Sequence, residues 1–370
     1  MTFKSSLKSK LIIIILLSVN SAFAQHQTEK IDHLLDSLYK NGQLNGNVLI
    51  AEKGKISYNK SFGVADETTK APLNQHSIFE LASCSKQFTA MAIVILRDQG
   101  KIGLDDQLIK YIPELGNLPP ITIKQLLLHT SGLPDYMPLM EKTWDKSKIA
   151  TNKDVIDYLA STETKLIFEP NTKHEYSNTG YVLLATIIER VSHQSFGDFL
   201  TKHIFGPLKM THSFVYNRRL NPKNNDNYAI GYIYIKSEKK LVLPDDYERT
   251  KMVYWLDGVV GDGTVNSTVI DLLKWDRALY QNKLVSKKSM DEILTNGVLN
   301  DGTESKHGYG WRILTTPEYG KIAKHSGAWP GYMNYIERDL DHDKTIIILQ
   351  NHHNVIVPAD EIRKLLYLKN

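Results

Sequence analysis

Between residues 26 and 40 a polar stretch is interrupted by Ile31, Leu34, Leu35 and Leu38, a 3.6-residue recurrence that predicts a helix over 29–39 with one buried face. Two β-rich runs follow, 46–51 and 55–64, and Lys53-Gly54 between them reads as the turn of a hairpin. Residues 88–96 are apolar nearly all round and stop short of Gly100, the pattern of a buried helix. From about 121 to 254, shorter helical patterns at 124–128, 155–159 and 181–191 alternate with Pro- and Asn-rich loops, and strand-like alternation is confined to 232–235. A helix over 271–280 precedes four strand-like runs, 309–314, 320–325, 332–337 and 345–350, and a closing helix is expected over 360–368. The chain thus carries α/β material at both ends around a mostly helical middle, with no internal repeat and no low-complexity tract.

The first residues follow a different pattern. Lys4, Lys8 and Lys10 precede an apolar run from 11 to 19 and then Ala22-Phe23-Ala24, the layout of a secretory signal peptide over residues 1–24 cleaved before Gln25. The apolar run is too short to span a bilayer as a helix, and no later stretch reaches about 18 uninterrupted apolar residues, so no stable membrane insertion is expected. A periplasmic or secreted destination follows, and no cysteine stands after the cleavage point to carry a lipid. Without those residues the chain holds 42 basic and 41 acidic side chains, scattered rather than striped, which argues against a nucleic-acid partner. Cys84 is the single cysteine, so no internal disulfide can form and stability must come from packing.

Candidate chemistry begins with Ser83-Cys-Ser-Lys86. A Ser-x-x-Lys pair on a helix puts a hydroxyl and an amine on one face, where the amine can take the hydroxyl proton. The same four-residue pattern recurs elsewhere, as at Ser5, Ser57 and Ser237, but only the copy at Ser83 opens an apolar helix, whose N-terminus favours a developing oxyanion. The plain alternative for Lys86 is a snorkelling or ion-paired lysine. Tyr176-Ser-Asn178 alone among the Tyr-x-Asn copies precedes a fresh helix: a phenol beside an ammonium can shuttle protons, and the amide can hold a substrate carbonyl. Its plain alternative is a helix cap by Ser177 or Asn178. The third element, His325-Ser326-Gly327-Ala328, falls at the end of an apparent strand, where a glycine lets a substrate backbone lie close; an ordinary turn at Pro330-Gly331 is the competing reading.

In this order the three motifs resemble those of the serine β-lactamase and penicillin-binding-protein superfamily, in its class C β-lactamase-like branch. Stretches at 121–134, 206–210, 261–265, 271–275 and 309–311 resemble that branch too, so the similarity spans nearly the whole chain after residue 24. The resemblance implies Ser83 as nucleophile, Lys86 and Tyr176 sharing proton transfer, Asn178 positioning the acyl side chain, and an oxyanion hole from the N–H groups of Ser83 and Ala328. Either Lys86 or Tyr176 could be the base. The fold expected is α/β, a mixed and mostly antiparallel sheet flanked by helices and formed by residues 25–85 and 256–370, with a mostly helical domain over 86–255 inserted and the active site where the two meet. Ser83, Lys86, Tyr176 and His325 must then converge.

One departure bears on substrate. Class C β-lactamases carry Lys-Thr-Gly in the third motif, and the lysine offers a permanent charge to a substrate carboxylate; an unperturbed histidine, with pKa about 6.5, does not at neutral pH. The expected substrates are therefore small esters or peptidoglycan-type D-amino-acid peptides ahead of a β-lactam; every side chain the chemistry needs is present, which argues against a dead scaffold, while a true β-lactamase and a penicillin-binding sensor that stays acylated are the alternatives, the sensor differing from a hydrolase only in how a water is placed for deacylation. The mechanism calls for no cofactor and no metal, and the pattern specifies no oligomer. Cys84 points about 100° away from its neighbour Ser83 on a helix and reads as a small core residue. His129 reads as a structural hydrogen-bonding residue, and His342, His352 and His353 lack the spacing of a zinc site. There is no Gly-x-Ser-x-Gly elbow and no phosphate-cradling glycine loop.

Overall fold

The computed structural model describes residues 26–162, 164–353 and 355–368, so residues 1–24, expected to be a signal peptide, lie outside the described residues. The helices are α1 (26–40), α2 (Lys86–Asp98), α3 (Ile123–Leu127), α4 (Tyr136–Met140), α5 (Asn152–Ser161), α6 (Asn178–Ser192), α7 (Phe196–Leu200), α8 (Met252–Trp255), α9 (Val269–Tyr280), α10 (Lys287–Ile293) and α11 (Ala359–Leu366). The strands are β1 (Gly46–Glu52), β2 (Lys55–Phe62), β3 (Phe79–Glu80), β4 (Phe214–Val215), β5 (Ile233–Ile235), β6 (Lys240–Val242), β7 (Val265–Ser267), β8 (Arg312–Thr316), β9 (Gly320–Trp329), β10 (Tyr332–Asp339) and β11 (Lys344–Gln350). Among the described residues no helix is long and apolar enough to cross a membrane.

Six strands form the main sheet in the order β2-β1-β11-β10-β9-β8, antiparallel at every pairing. Among the described residues parallel pairing is confined to single bridges such as Ile78 with Tyr228 and Tyr232 with His352. Both faces of the sheet are covered, which is why β1 and β11 each carry an unbroken apolar run, 48–51 and 346–349, instead of alternating with polar residues. Val48, Ile50, Ile346 and Ile348 point to one face, where Ile31 and Leu35 of α1 and Ile362 of α11 cover them. Leu49, Ala51, Ile347 and Leu349 point to the other and join the large core built with α2, α6 and α9. At about 25 cal/mol per Å² of apolar area, each fully buried Ile or Leu contributes roughly 1.5–3 kcal/mol.

Among the differences from the expected strands, those of β8 and β9 shape the cleft. The run 309–314 becomes a strand only at Arg312, because Gly310 turns to φ +74° and lays the chain over the start of α2; a Cβ there would stand 2.8 Å from the Lys86 carbonyl. β9 does not stop near His325 but carries the third motif in extended form through Trp329, and only Pro330-Gly331 make the turn into β10. The pairing of β8 with β9 ends at Lys324 opposite Arg312, so residues 325–329 form a strand edge without a β8 partner beside the cleft.

Candidate active site

Ser83 lies on a 3₁₀ turn, Ala82–Ser85, between β3 and α2, and not on the α-helix itself, which starts at Lys86. Residues three apart eclipse in a 3₁₀ turn, so Lys86 stands above Ser83 and its Nζ donates to Ser83 Oγ at 3.2 Å. The turn is entered through Ala82 at φ +50°, a conformation that costs a non-glycine residue roughly 1–3 kcal/mol and must be held from outside. β7 and β9 hold it: Leu81 N–H donates to the Val265 carbonyl (2.8 Å), Val265 N–H to Ser85 Oγ (3.1 Å), and Cys84 Sγ to the His325 carbonyl (3.4 Å). Gly327 makes this docking possible. A Cβ there would come within 2.1 Å of the Leu81 carbonyl, so the space expected to admit a substrate backbone is filled by the nucleophile's own turn. Burial pushes the Cys84 thiol up to about 12, with Lys86 opposing weakly, and this suits a core residue rather than a nucleophile.

Lys86 is wholly buried, and each of its ammonium protons has an acceptor: Ser83 Oγ, Asn178 Oδ1 at 2.8 Å and the Asp262 carbonyl at 2.7 Å. The rings of Tyr176 and Tyr181 lie 5.0 and 5.6 Å from Nζ. Among the described residues Lys86 forms no ion pair, so the snorkelling and ion-paired alternatives both fall away. The Asp262 carbonyl is presented by a tight loop in which Gly261, at φ +106°, packs against the Tyr181 carbonyl, while the Asp262 carboxyl, raised by burial against the field of Lys86, accepts from Tyr136 Oη at 3.1 Å.

Asn178 begins α6, but neither it nor Ser177 caps the helix with its side chain. The cap comes from Asp135, whose Oδ2 accepts from the Asn178 backbone N–H at 2.9 Å and from its side-chain Nδ2 at 2.8 Å. Segment 129–136 cradles 175–179 throughout: Glu175 N–H donates to the His129 carbonyl (3.0 Å), Ser177 N–H to His129 Nδ1 (3.2 Å) and Thr179 Oγ1 to the Pro134 carbonyl (2.6 Å). The His129 ring stacks on Tyr176 with centroids 4.4 Å apart, and its buried position holds it well below the usual histidine range, and hence neutral, with His307 and Lys86 adding to the effect. Tyr176, 38% exposed, reaches the groove 6.2 Å from the His325 ring.

His325 donates from Nδ1 to the Ser326 carbonyl at 2.6 Å, and burial, then Lys86, brings it down to about 4. It is a neutral imidazole at neutral pH. The groove that holds Ser83, Tyr176, His325, Ser326 and Ala328 is also lined by Lys306, Arg312 and Lys324, three cations that the motif reading did not single out. A second, narrower cavity opens from Ser83 on the other side, between Asn178 and Ala328. The structure therefore brings six of the eight sequence-derived site residues to the two cavities that meet at Ser83, buries Lys86 against Ser83, turns Gly327 toward the nucleophile's turn, and adds Asp135 and the Asp262 carbonyl as supports. Asp135 had one local signal, its place as an N-cap before Tyr136; its hold on Asn178 had none. Among the described residues no group of three His, Cys, Asp or Glu side chains is placed to hold a metal ion.

A serine hydroxyl against a buried lysine, with a phenol and a free strand edge beside them on this fold, defines a serine hydrolase. The chain belongs to the Beta-lactamase family, whose pattern it matches over residues 28–369. It is similar to penicillin-binding protein 4* of Bacillus subtilis, 46% identical over 327 residues that cover 88% of this chain and 72% of that protein. Its fold is that of the octameric penicillin-binding protein homologue from Pyrococcus abyssi (TM-score 0.77, 27% identity, 91% of this chain and 76% of that one). The D-amino acid amidase of Ochrobactrum anthropi SV3 shares the fold as well (TM-score 0.74, 23% identity, 92% and 99%).

Proposed function

We propose that the protein is an exported hydrolase that cleaves small esters or D-amino-acid peptides of cell-wall type through an acyl-enzyme on Ser83. The contact of the buried Lys86 with Ser83 Oγ carries this reading. Lys86 and Tyr176 pass the hydroxyl proton toward the leaving group, Asn178 orients the acyl carbonyl side, and the N–H groups of Ser83 and Ala328 stabilise the oxyanion, a service worth about 100- to 1,000-fold per donor. Ser326 and Ala328 present the strand edge along which the substrate lies, Gly327 seats the nucleophile's turn against that strand, and His325 frames the leaving-group side. The cleft is read as the junction of an α/β domain (25–85 and 256–370) with a helical insert (86–255). Export rests on the pattern of residues 1–24.

The neutral His325 removes the permanent charge that a carboxylated β-lactam would meet in the third motif, whereas Lys306, Arg312 and Lys324 leave room for a leaving group with a carboxylate farther along the groove. Relatives named for penicillin binding and for D-amino acid amides support both acylation by penicillin and hydrolysis of D-amino-acid substrates. The test is intact mass of the protein and of Ser83→Ala after mixing with a penicillin and, separately, an activated acyl ester. An adduct on the unmodified protein alone, with ester or D-alanyl peptide turned over faster than penicillin, is the expected result. A persistent adduct without turnover makes the protein a sensor, fast cephalosporin hydrolysis makes it a β-lactamase, and an adduct that survives Ser83→Ala removes the nucleophile from this reading.

A further inference from the structure

Charge is distributed unevenly about Ser83. The groove it shares with Tyr176 and His325 is walled by Lys306, Arg312 and Lys324 and by no acid. The cavity it shares with Asn178 and Ala328 is walled by Glu80, Asp257 and Asp262 and by no lysine or arginine. Two of these acids are already engaged. Asp257 accepts from the Arg219 guanidinium at 3.1 Å and from the backbone N–H groups of Arg219 and Leu220, and Asp262 accepts from Tyr136.

Glu80 is different. It stands three residues before the nucleophile, its backbone fixed by the pairing of β3 with β7 opposite Asn266 and by Asn334, whose Nδ2 donates to the Glu80 carbonyl at 2.8 Å. Among the described residues its carboxylate makes no hydrogen bond and no ion pair, although it lines the cavity within the field of Arg219, whose guanidinium is committed to Asp245 and Asp257. Burial without a partner pushes Glu80 up to about 7, with Arg219 opposing the rise and Asp257 adding to it. The remaining wall, including Met137, Val253, Leu256 and Trp329, suits a short aliphatic group.

A carboxylate on one side of the reacting serine without a cation of its own is satisfied when the substrate supplies one. We propose that Glu80 is a specificity-determining residue that binds the ammonium group of an aminoacyl substrate, so that the preferred acyl donor is a small amino acid with a free amine. The inference rests on the acyl-enzyme reading of Ser83 and narrows its substrate class: ammonium on the acyl side, anion on the leaving side. Only the acyl half is assigned to Glu80.

The experiment compares D-alanyl p-nitroanilide with its N-acetyl derivative, in which the ammonium is replaced by a neutral, larger acetamide, and uses p-nitrophenyl acetate to report the acyl-enzyme itself. The unmodified protein should favour the free amine in kcat/KM, and Glu80→Gln, which keeps the shape, should lower the ratio of the two anilides by about 10- to 100-fold, the worth of one charge-assisted hydrogen bond. Glu80→Asp should retain part of the preference. A preference of the unmodified protein for the N-acetyl anilide overturns the inference without any variant, and so does a Glu80→Gln protein that slows both anilides equally. Failure of p-nitrophenyl acetate turnover together with absence of a Ser83 adduct would instead remove the acyl-enzyme reading beneath it.

Discussion

The Asp135 carboxylate accepts from both the backbone and the side-chain nitrogen of Asn178, and this decides that Asn178 turns its oxygen to Lys86. A carboxylate can only accept and an ammonium can only donate, so an amide caught between them has a single orientation. The placement of Lys86 Nζ against Ser83 therefore depends on a residue 43 positions before Asn178 that touches neither Ser83 nor Lys86.

Asp135→Ala should free that amide. The two bonds to Asn178 and the one to the Met137 N–H are lost together, at a cost of about 1–3 kcal/mol for the donors left without a partner. Urea unfolding should report that loss, and kcat/KM for an ester should fall roughly 10- to 100-fold as Lys86 loses its fixed acceptor. Unchanged kcat/KM would show that Asn178 holds its orientation unaided.

His129 positions Tyr176 without touching a substrate. His129→Phe keeps a ring stacked on Tyr176 but removes the acceptor for Ser177 N–H, and should lower kcat about 10-fold with little change in KM. His129→Asn, which tolerates φ +57° and offers an oxygen, should recover part of it. Equal recovery by Ala would show that neither the ring nor the acceptor matters.

Acid should destabilise the fold through its buried histidines. His325 sits at about 4 when folded and near 6.5 when unfolded, so its contribution is fully present above pH 6.5 and is lost as pH falls toward 4, on the order of 3 kcal/mol in all. His307, brought down to about 3 by burial and by His174 and His325, acts in the same direction. Glu80, held up near 7, has the opposite sign over the same range, so the informative quantity is the difference between the unmodified protein and His325→Gln. Unfolding free energies between pH 7 and 4 should be flatter in the variant; parallel curves would mean that His325 titrates normally.

Gly327→Ala should be among the most damaging single-methyl changes in the chain. Its Cβ meets backbone, the Leu81 carbonyl, rather than a side chain that could swing aside, so either β9 or the nucleophile turn must move. A loss of about 3 kcal/mol, or insoluble protein, is expected, together with slower acylation in whatever folds. Normal acylation kinetics in Gly327→Ala would show that the turn tolerates displacement.

Much of this architecture is legible in local pattern. The β1–β2 hairpin, α2, α6, α9 and the last two strands appear where apolar periodicity puts them, because both faces of the sheet and all sides of α2 are covered and the burden of burial falls on residues adjacent in sequence. Ser83, Lys86, Tyr176, Asn178 and His325 could be picked out because each short motif joins a chemistry to a helix start or a strand. The β8 boundary could not, since Tyr309 and Trp311 satisfy a strand pattern while Gly310 is needed to clear the backbone of α2.

The order of residues alone specifies the set of reactive groups and the elements that carry them. Which partner each group would face was decided only by the tertiary structure: the Asp262 carbonyl reaches Lys86 from 176 residues away, Cys84 meets the His325 carbonyl across 241, and Glu80 is left in a cavity without a cation. The physical reason is that periodicity reports burial along one element, whereas hydrogen-bond satisfaction and local field depend on groups brought together by packing, whose separation along the chain carries no pattern.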